Sequence, residues 1–188
     1  MSKIKTVLTT TAQYDKEMVH RFSLEKVWDE AKPNALVIML VAGSSDGICV
    51  DSTTAHVLEN AVRLGFGSVT ICNLFSCIGD YSLKQPDGEA QKKNLQVILS
   101  AAKEADTVVY CPGRGKAALK TFQAREKLVL SALKEVQDKI VCISDGLGHT
   151  MFHPLSHRVK QWEFVPLLID KYLASLTPPV SSEEHTGD

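Results

Sequence analysis

Four short apolar runs punctuate the chain: ALVIMLV from Ala35, SVTIC from Ser68, TVVYC from Thr107 and KIVCI from Lys139. Each is rich in β-branched residues and separated from the next by a longer, helix-like stretch, the pattern of strands buried on both faces of a parallel sheet. Between the first two runs, DSTTAHVLENAVRLGFG offers Ser and Thr caps, apolar residues at Ala55, Leu58, Ala61 and Val62, and a closing Gly65. That combination is a complete helix signature. A second helix is predicted from Glu89 to Ala105, with Leu95, Ile98, Leu99 and Ala102 on one face. A third runs from about Lys116 to Val136, where Ala118, Phe122, Val129, Leu133 and Val136 keep the helical period. Phe164 to Leu176 reads as a final packing helix, and two alternating stretches, Ile4 to Thr10 and Val19 to Leu24, predict a hairpin at the sheet edge.

Strand and helix alternating in this way predict an α/β fold: a three-layer αβα domain with a central, mostly parallel four-stranded sheet and right-handed crossovers. The expected domain spans residues 1–176, and the polar, proline-broken tail TPPVSSEEHTGD, residues 177–188, reads as disordered. In open sheets of this kind ligands bind at the carboxyl ends of the strands. The loops AGSSDG, NLFSCIGD, PGRGK and SDGLGHTMFHPLSH are therefore expected along one edge of the sheet.

Composition narrows the classes of partner. With 188 residues, 44% of them hydrophobic and 23% charged, one ordinary core is expected. A formal net charge of -1 and a pI near 6.6 give no general attraction to nucleic acid or anionic lipid. No apolar run approaches the roughly 18 residues of a membrane span, and the N-terminus lacks the apolar core of a signal peptide, so the expectation is a cytoplasmic protein without membrane contact. The five cysteines include no CxxC pair and read as reduced packing thiols. Cys111, just before Pro112 and Gly113, is the best placed of them for a nucleophilic alternative. No motif implies a cofactor.

The strand-end loops hold the chemistry-bearing side chains. In AGSSDG, Ser44 and its small neighbours let backbone amides converge on an anion, Asp46 supplies a carboxylate, and Asp51 stands where it can cap the following helix or orient a water. Asn73 offers a donor and an acceptor to a planar ligand edge, or caps a turn, with Ser76 and Asp80 as weaker candidates in the same loop. Gly113, Arg114 and Lys116 suit an anion at a helix N-terminus. The spacing is not that of a P-loop, because Tyr110 replaces the first glycine and Ala117 follows the lysine. The last loop brings Asp145, His149, His153, Ser156 and His157. Pro154 prevents one helix from carrying the three histidines, which argues against a metal site and leaves His153 as an electrophile, a proton donor or a hydrogen-bonded structural residue.

RFSL with Trp28, then DSTT, NLFS, Asn94 before a helix, and HPLS occur in an order that resembles the DUF1643 family of unknown function, over about residues 20–170. The chain departs from that family's Asn-Pro-Ser-Thr-Ala after the first strand, where it has Val41, Ala42, Gly43, Ser44 and Ser45. A more distant likeness is to the uracil-DNA glycosylase superfamily: an acidic loop after the first strand, an Asn ending the second, and a His-Pro-Ser loop after the fourth. That likeness implies that Asp46 or Asp51 orients a water, Asn73 reads a base edge and His153 stabilises charge on a leaving base. The Gly-Gln-Asp-Pro-Tyr sequence of those enzymes is absent.

The leading expectation is a glycosylase-like domain that binds a nucleobase, nucleotide or nucleic-acid end, with catalytic Asp46, Asp51 and His153. Ser44, Asn73, Phe75, Gly113, Arg114, Lys116 and Ser156 are its expected ligand-binding residues, and Phe75, Tyr81 and Phe152 the candidates for an aromatic wall. The alternatives are a non-catalytic binding module on the same fold and a small-molecule hydrolase using Cys111 or Ser156.

Overall fold

The computed structural model describes residues 2–45, 47–79 and 87–176. Asp46, Asp80, Tyr81 and the tail at 177–188 lie outside the described residues. The elements are β1 (Thr9–Tyr14), β2 (Arg21–Val27), β3 (Asn34–Ala42), α1 (Ser52–Arg63), β4 (Ser68–Ile78), α2 (Gly88–Glu104), β5 (Thr107–Tyr110), α3 (Lys120–Ala132) with a 3-10 helix at Leu133–Lys139, β6 (Ile140–Ser144), β7 (Glu163–Pro166) and α4 (Ile169–Leu176).

The seven strands among the described residues form one sheet in the order β1-β2-β4-β3-β5-β6-β7. The pairings β3·β4, β3·β5 and β5·β6 are parallel, whereas β1·β2, β2·β4 and β6·β7 are antiparallel. The expectation of a four-stranded, mostly parallel sheet is thus corrected to a mixed sheet of seven. Two differences account for this. The N-terminal hairpin joins the sheet through β2, with its strands shifted to Thr9–Tyr14 and Arg21–Val27. Phe164 to Pro166, expected to open the last helix, instead pairs along β6, with Cys142 opposite Val165, and the helix begins at Ile169. Pro166 stands at the last position of an edge strand, where proline's missing donor is tolerated.

Alternate residues of the central strands feed two cores. Leu36, Ile38, Cys72, Leu74, Val108 and Tyr110 pack with Ile98 of α2 and with Phe122 and Val129 of α3. Val37, Met39, Val69, Ile71, Val109 and Ile143 pack with Val57 of α1 and with Val159 and Trp162. Burial of both faces is why these strands read as continuous apolar runs. Trp162, only 2% exposed, belongs to this second core.

The connections set the position of a crevice. From β3 the chain passes through α1 on one face to β4; from β5 it passes through α3 on the other face to β6, in the opposite direction across the sheet. The loops leaving β3 and β5 therefore diverge between two neighbouring strands, which is the topological switch point where ligands bind in open α/β sheets. Among the described residues, no helix is long and apolar enough to cross a membrane.

Candidate functional site

At the switch point two close backbone approaches hold two of the expected catalytic side chains over adjoining strand ends. Gly43 follows β3, and a β-carbon on it would stand 2.7 Å from a carboxylate oxygen of Asp51. Gly113 follows β5 with φ +72°, and a β-carbon there would stand 2.9 Å from Cβ of His153. At Gly113 the left-handed backbone and the His153 β-carbon require glycine, whereas at Gly43 a larger residue would have to displace the Asp51 carboxylate.

Asp51 is the N-cap of α1, its Oδ1 accepting from the Thr54 amide at 2.7 Å. Burial alone would raise its pKa, but hydrogen bonds from Thr54 and Ser45, together with the Arg21 cation, outweigh burial and hold the carboxyl below the ordinary 3.8. It is a carboxylate at neutral pH. His153 is half-buried; burial lowers its pKa below the ordinary 6.5, so the ring is neutral at pH 7. Its Nδ1 accepts from the Leu155 amide at 3.2 Å, which places the ring proton on Nε2.

Arg21, only 1% exposed, ties the first two walls together. One of its amino groups donates to the Ser45 carbonyl and the other to Oδ1 of Asn73 at 3.5 Å. Asn73 in turn donates through Nδ2 to the Val41 carbonyl at 2.8 Å. It does not end its strand, because β4 continues to Ile78 and pairs Phe75 with Val41. Its amide is therefore engaged on both sides within the sheet. Ser45, rather than the exposed Ser44, builds the first loop: its hydroxyl lies 2.9 Å from that of Thr54 and accepts from the Asp51 amide at 2.8 Å.

The remaining expected residues scatter. Phe75 is 1% exposed in the first core, and Phe152 is partly buried against the second. Ser156 is half-buried in the turn after Pro154, and its amide donates to the His153 carbonyl. Gly113, Arg114 and Lys116 do not form the start of α3, because two successive turns, closed by Ala117 to Arg114 and Leu119 to Lys116, delay the helix to Lys120. Arg114 instead swings to the Tyr172 hydroxyl and to Glu126, 3.7 Å away, while Lys116 is exposed. The segment gives no helix N-terminus to an anion. Cys111 is fully buried and burial pushes its thiol far above the ordinary 9.0, which disfavours a thiolate nucleophile. His149 pairs with Asp145 at 2.7 Å on the surface, and among the described residues no three His, Cys, Asp or Glu side chains gather as for a metal ion.

On the α2 and α3 face lies a buried polar cluster that the sequence reading missed. Asn94, inside α2 rather than before it, donates to the carbonyls of Asn73 and Leu74 at 2.9 and 3.2 Å. Arg125 Nε donates to the same Leu74 carbonyl at 2.8 Å. Glu126 is fully buried and accepts from the hydroxyls of Tyr110 and Tyr172 at 3.2 and 2.8 Å. Burial raises its pKa above the ordinary 4.5 despite those donors and Arg114. At the opposite ends of the strands a groove of about 360 Å³ runs between α2 and the sheet, lined by Thr11, Gln13, Ser23, Glu25, Thr70 and Glu104. None of the expected residues among those described lines it.

Together the mixed seven-stranded sheet and its switch point define an α/β domain in which Asp51 and His153 lie against the ends of neighbouring strands. The chain belongs to the family described as protein of unknown function (DUF1643), whose model matches residues 21–155, from Arg21 through the HPL of the last loop. No curated protein and no solved structure matches the chain.

Proposed function

We propose that the domain binds a nucleobase, nucleotide or nucleic-acid end in the crevice at the carboxyl ends of β3 and β5, in the manner of a hydrolytic glycosylase. The observation that carries this reading is the seating of Asp51 and His153 against Gly43 and Gly113 on neighbouring strand ends. A carboxylate can orient and deprotonate a water, and a neutral imidazole that keeps its proton on Nε2 can donate to an oxygen or nitrogen on which negative charge develops. In this reading Asn73 is a positioning residue: with Arg21 it braces the loop that carries Ser45. Asp46, which lies outside the described residues, is the alternative to Asp51 for the water-orienting role. The net charge of -1 favours a single base or nucleotide over a long duplex, since nothing in the overall charge neutralises phosphates.

The reading is tested by titrating free bases, nucleosides and a short single-stranded oligonucleotide into the protein by NMR, and by assaying base release chromatographically. Binding that perturbs the Asp51 and His153 resonances, and that His153→Ala weakens, is expected. Failure of every ligand to bind overturns the proposal.

A second reading, a binding module without turnover, is favoured by one observation: Asp51 already accepts from the Thr54 amide as a helix cap. It predicts binding with no released base, and binding unchanged in Asp51→Asn.

A further inference from the structure

We infer that β1 is a self-association edge, and that two copies of the chain pair their β1 strands antiparallel about a two-fold axis at Thr10, joining two sheets into one. The two edges of the sheet are built differently. β7 opens on Glu163 and ends on Pro166, a short strand with a charge and a proline, which are common means of blunting an edge. β1 has neither. Its residues, TTTAQY, include no charge, proline or glycine. The one irregularity in its ladder leaves Phe22 of β2 unpaired, because Gln13 faces Ser23 and Tyr14 faces Arg21, so β1 itself is not bulged. An edge strand of this kind holds out alternate amides and carbonyls to a further strand. The segment that would lengthen it is uncovered as well: residues 2–8 form neither helix nor strand, and Ile4, Val7 and Leu8 are 89%, 61% and 49% exposed.

The occupant of that edge follows from the charges at its two ends. Lys3 and Lys5 precede β1, and Asp15 and Glu17 follow it. None of the four takes part in an ion pair among the described residues. A second copy running antiparallel sets the lysines of each chain against the acids of the other, whereas a parallel copy would set like charges together. The register follows from symmetry. A two-fold axis normal to the sheet keeps the two copies of each residue on the same face, and opposed residues of antiparallel strands share a face, so odd positions face odd and even face even. With Thr10 opposite its own copy, Lys5 falls opposite Asp15, whose Oδ1 accepts from the His20 amide and whose Oδ2 is left for the lysine. Lys3 falls beside the turn that carries Glu17, closed by the Met18 amide on the Asp15 carbonyl. Lys16, between the two acids, meets the apolar Ile4 and no second cation. Moving the axis to Thr9 or Thr11 leaves only one of the two matches. Leu8 then lies opposite Ala12, on the face where Ala12 packs against the second core, so an apolar side chain exposed in one copy extends the core of the other.

The test uses the full chain. Sedimentation velocity over a concentration series is expected to show a reversible dimer. Glu17→Lys is expected to weaken it at least threefold, Lys3→Glu with Lys5→Glu at least tenfold, and Lys3→Glu added to Glu17→Lys to restore the natural affinity. All three side chains are exposed, so these variants keep the fold. Register is read by cross-linking in a Cys49→Ser background, which removes the exposed thiol. Thr9→Cys stands diagonal to its copy, about 7–8 Å away, within reach of a short bis-maleimide. Val7→Cys stands about six residues from its copy, roughly 20 Å, and is out of reach. A monomer at every concentration, a dimer indifferent to the charge reversals, or cross-linking through Val7→Cys in preference to Thr9→Cys overturns the inference. β2 and β4 separate β1 from β3 and β5, so its failure is distinguishable from failure of nucleobase binding.

Discussion

Tyr110 and Tyr172, from the end of β5 and from α4, donate their hydroxyls to the same oxygen of Glu126. A carboxyl so deeply buried has a folded pKa above its unfolded value near 4.5. Between those two values the native state holds a proton that the unfolded chain has released. Stability therefore falls as pH rises through that window, and below it Glu126 contributes no pH dependence. Glu126→Gln lacks this titration, so the stability of the variant relative to the natural chain is expected to improve from pH 4 upward. Urea unfolding of both proteins from pH 4 to pH 8 measures it, and a pH-independent difference contradicts the assignment.

Gly113→Ala combines a strained backbone with a collision. A left-handed non-glycine residue costs about 1–3 kcal/mol, and the new β-carbon would stand 2.9 Å from that of His153. Loss of stability in this range is expected, together with displacement of the His153 ring signals in NMR. An unchanged His153 environment would falsify the proposed seating.

Asp51 joins two roles that a pair of substitutions separates. Asn retains the cap, whereas Ala loses it at about 0.5–2 kcal/mol. With its folded pKa held below 3.8, Asp51 contributes stability above that unfolded value that disappears as pH falls through the folded one. Asp51→Asn is therefore expected to keep the cap but to lose this carboxylate contribution at neutral pH, with its stability approaching that of the natural chain as pH falls through the folded pKa, and to lose any base release. If it turns over as the natural chain does, Asp51 is only a cap.

Arg21 braces two walls with one side chain. Arg21→Met leaves the Ser45 carbonyl and the Asn73 Oδ1 without their donor, a change expected to cost about 2–4 kcal/mol. Arg21→Lys is not expected to rescue it, because an ammonium cannot reach two divergent acceptors at once. Chemical denaturation of the three proteins decides the point.

Thiol chemistry gives an independent check on the cores. Cys49 is exposed, whereas Cys72, Cys111 and Cys142 are buried, and burial pushes the Cys72 thiol up to about 12. A disulfide reagent is expected to modify Cys49 rapidly and Cys111 only on unfolding. Rapid labelling of Cys111 in the native protein would restore it as a nucleophile.

The central strands were legible because burial on both faces makes them uniformly apolar, and α1 because Asp51 and Gly65 punctuate it at both ends. Short edge strands carry no such signature. Phe164, Val165 and Pro166 become a strand only because β6 offers them an open edge, a fact of assembly rather than of local sequence. The end of β4 is hard to read for a related reason: Asn73 looks like a terminator, yet Arg21 and the Val41 carbonyl satisfy its amide inside the sheet. Within α3 the sequence does carry a signal. Arg125 and Glu126 fall on the same helical stripe as Phe122 and Val129, so charged residues stood at inward positions. Asn94 stands out in the sequence as part of a motif, but only its place inside α2 reveals what it touches.

The carbonyl oxygen of Leu74 is one atom shared by two helices, with Asn94 of α2 and Arg125 of α3 both donating to it. It acts as a mechanical pin. Neither helix can slide along the sheet without straining or releasing a bond the other depends on, so α2 and α3 are expected to shift as a single rigid unit. Motion that opens this end of the domain is then left to α1 and to the segment carrying His153, which have no hold on the pin.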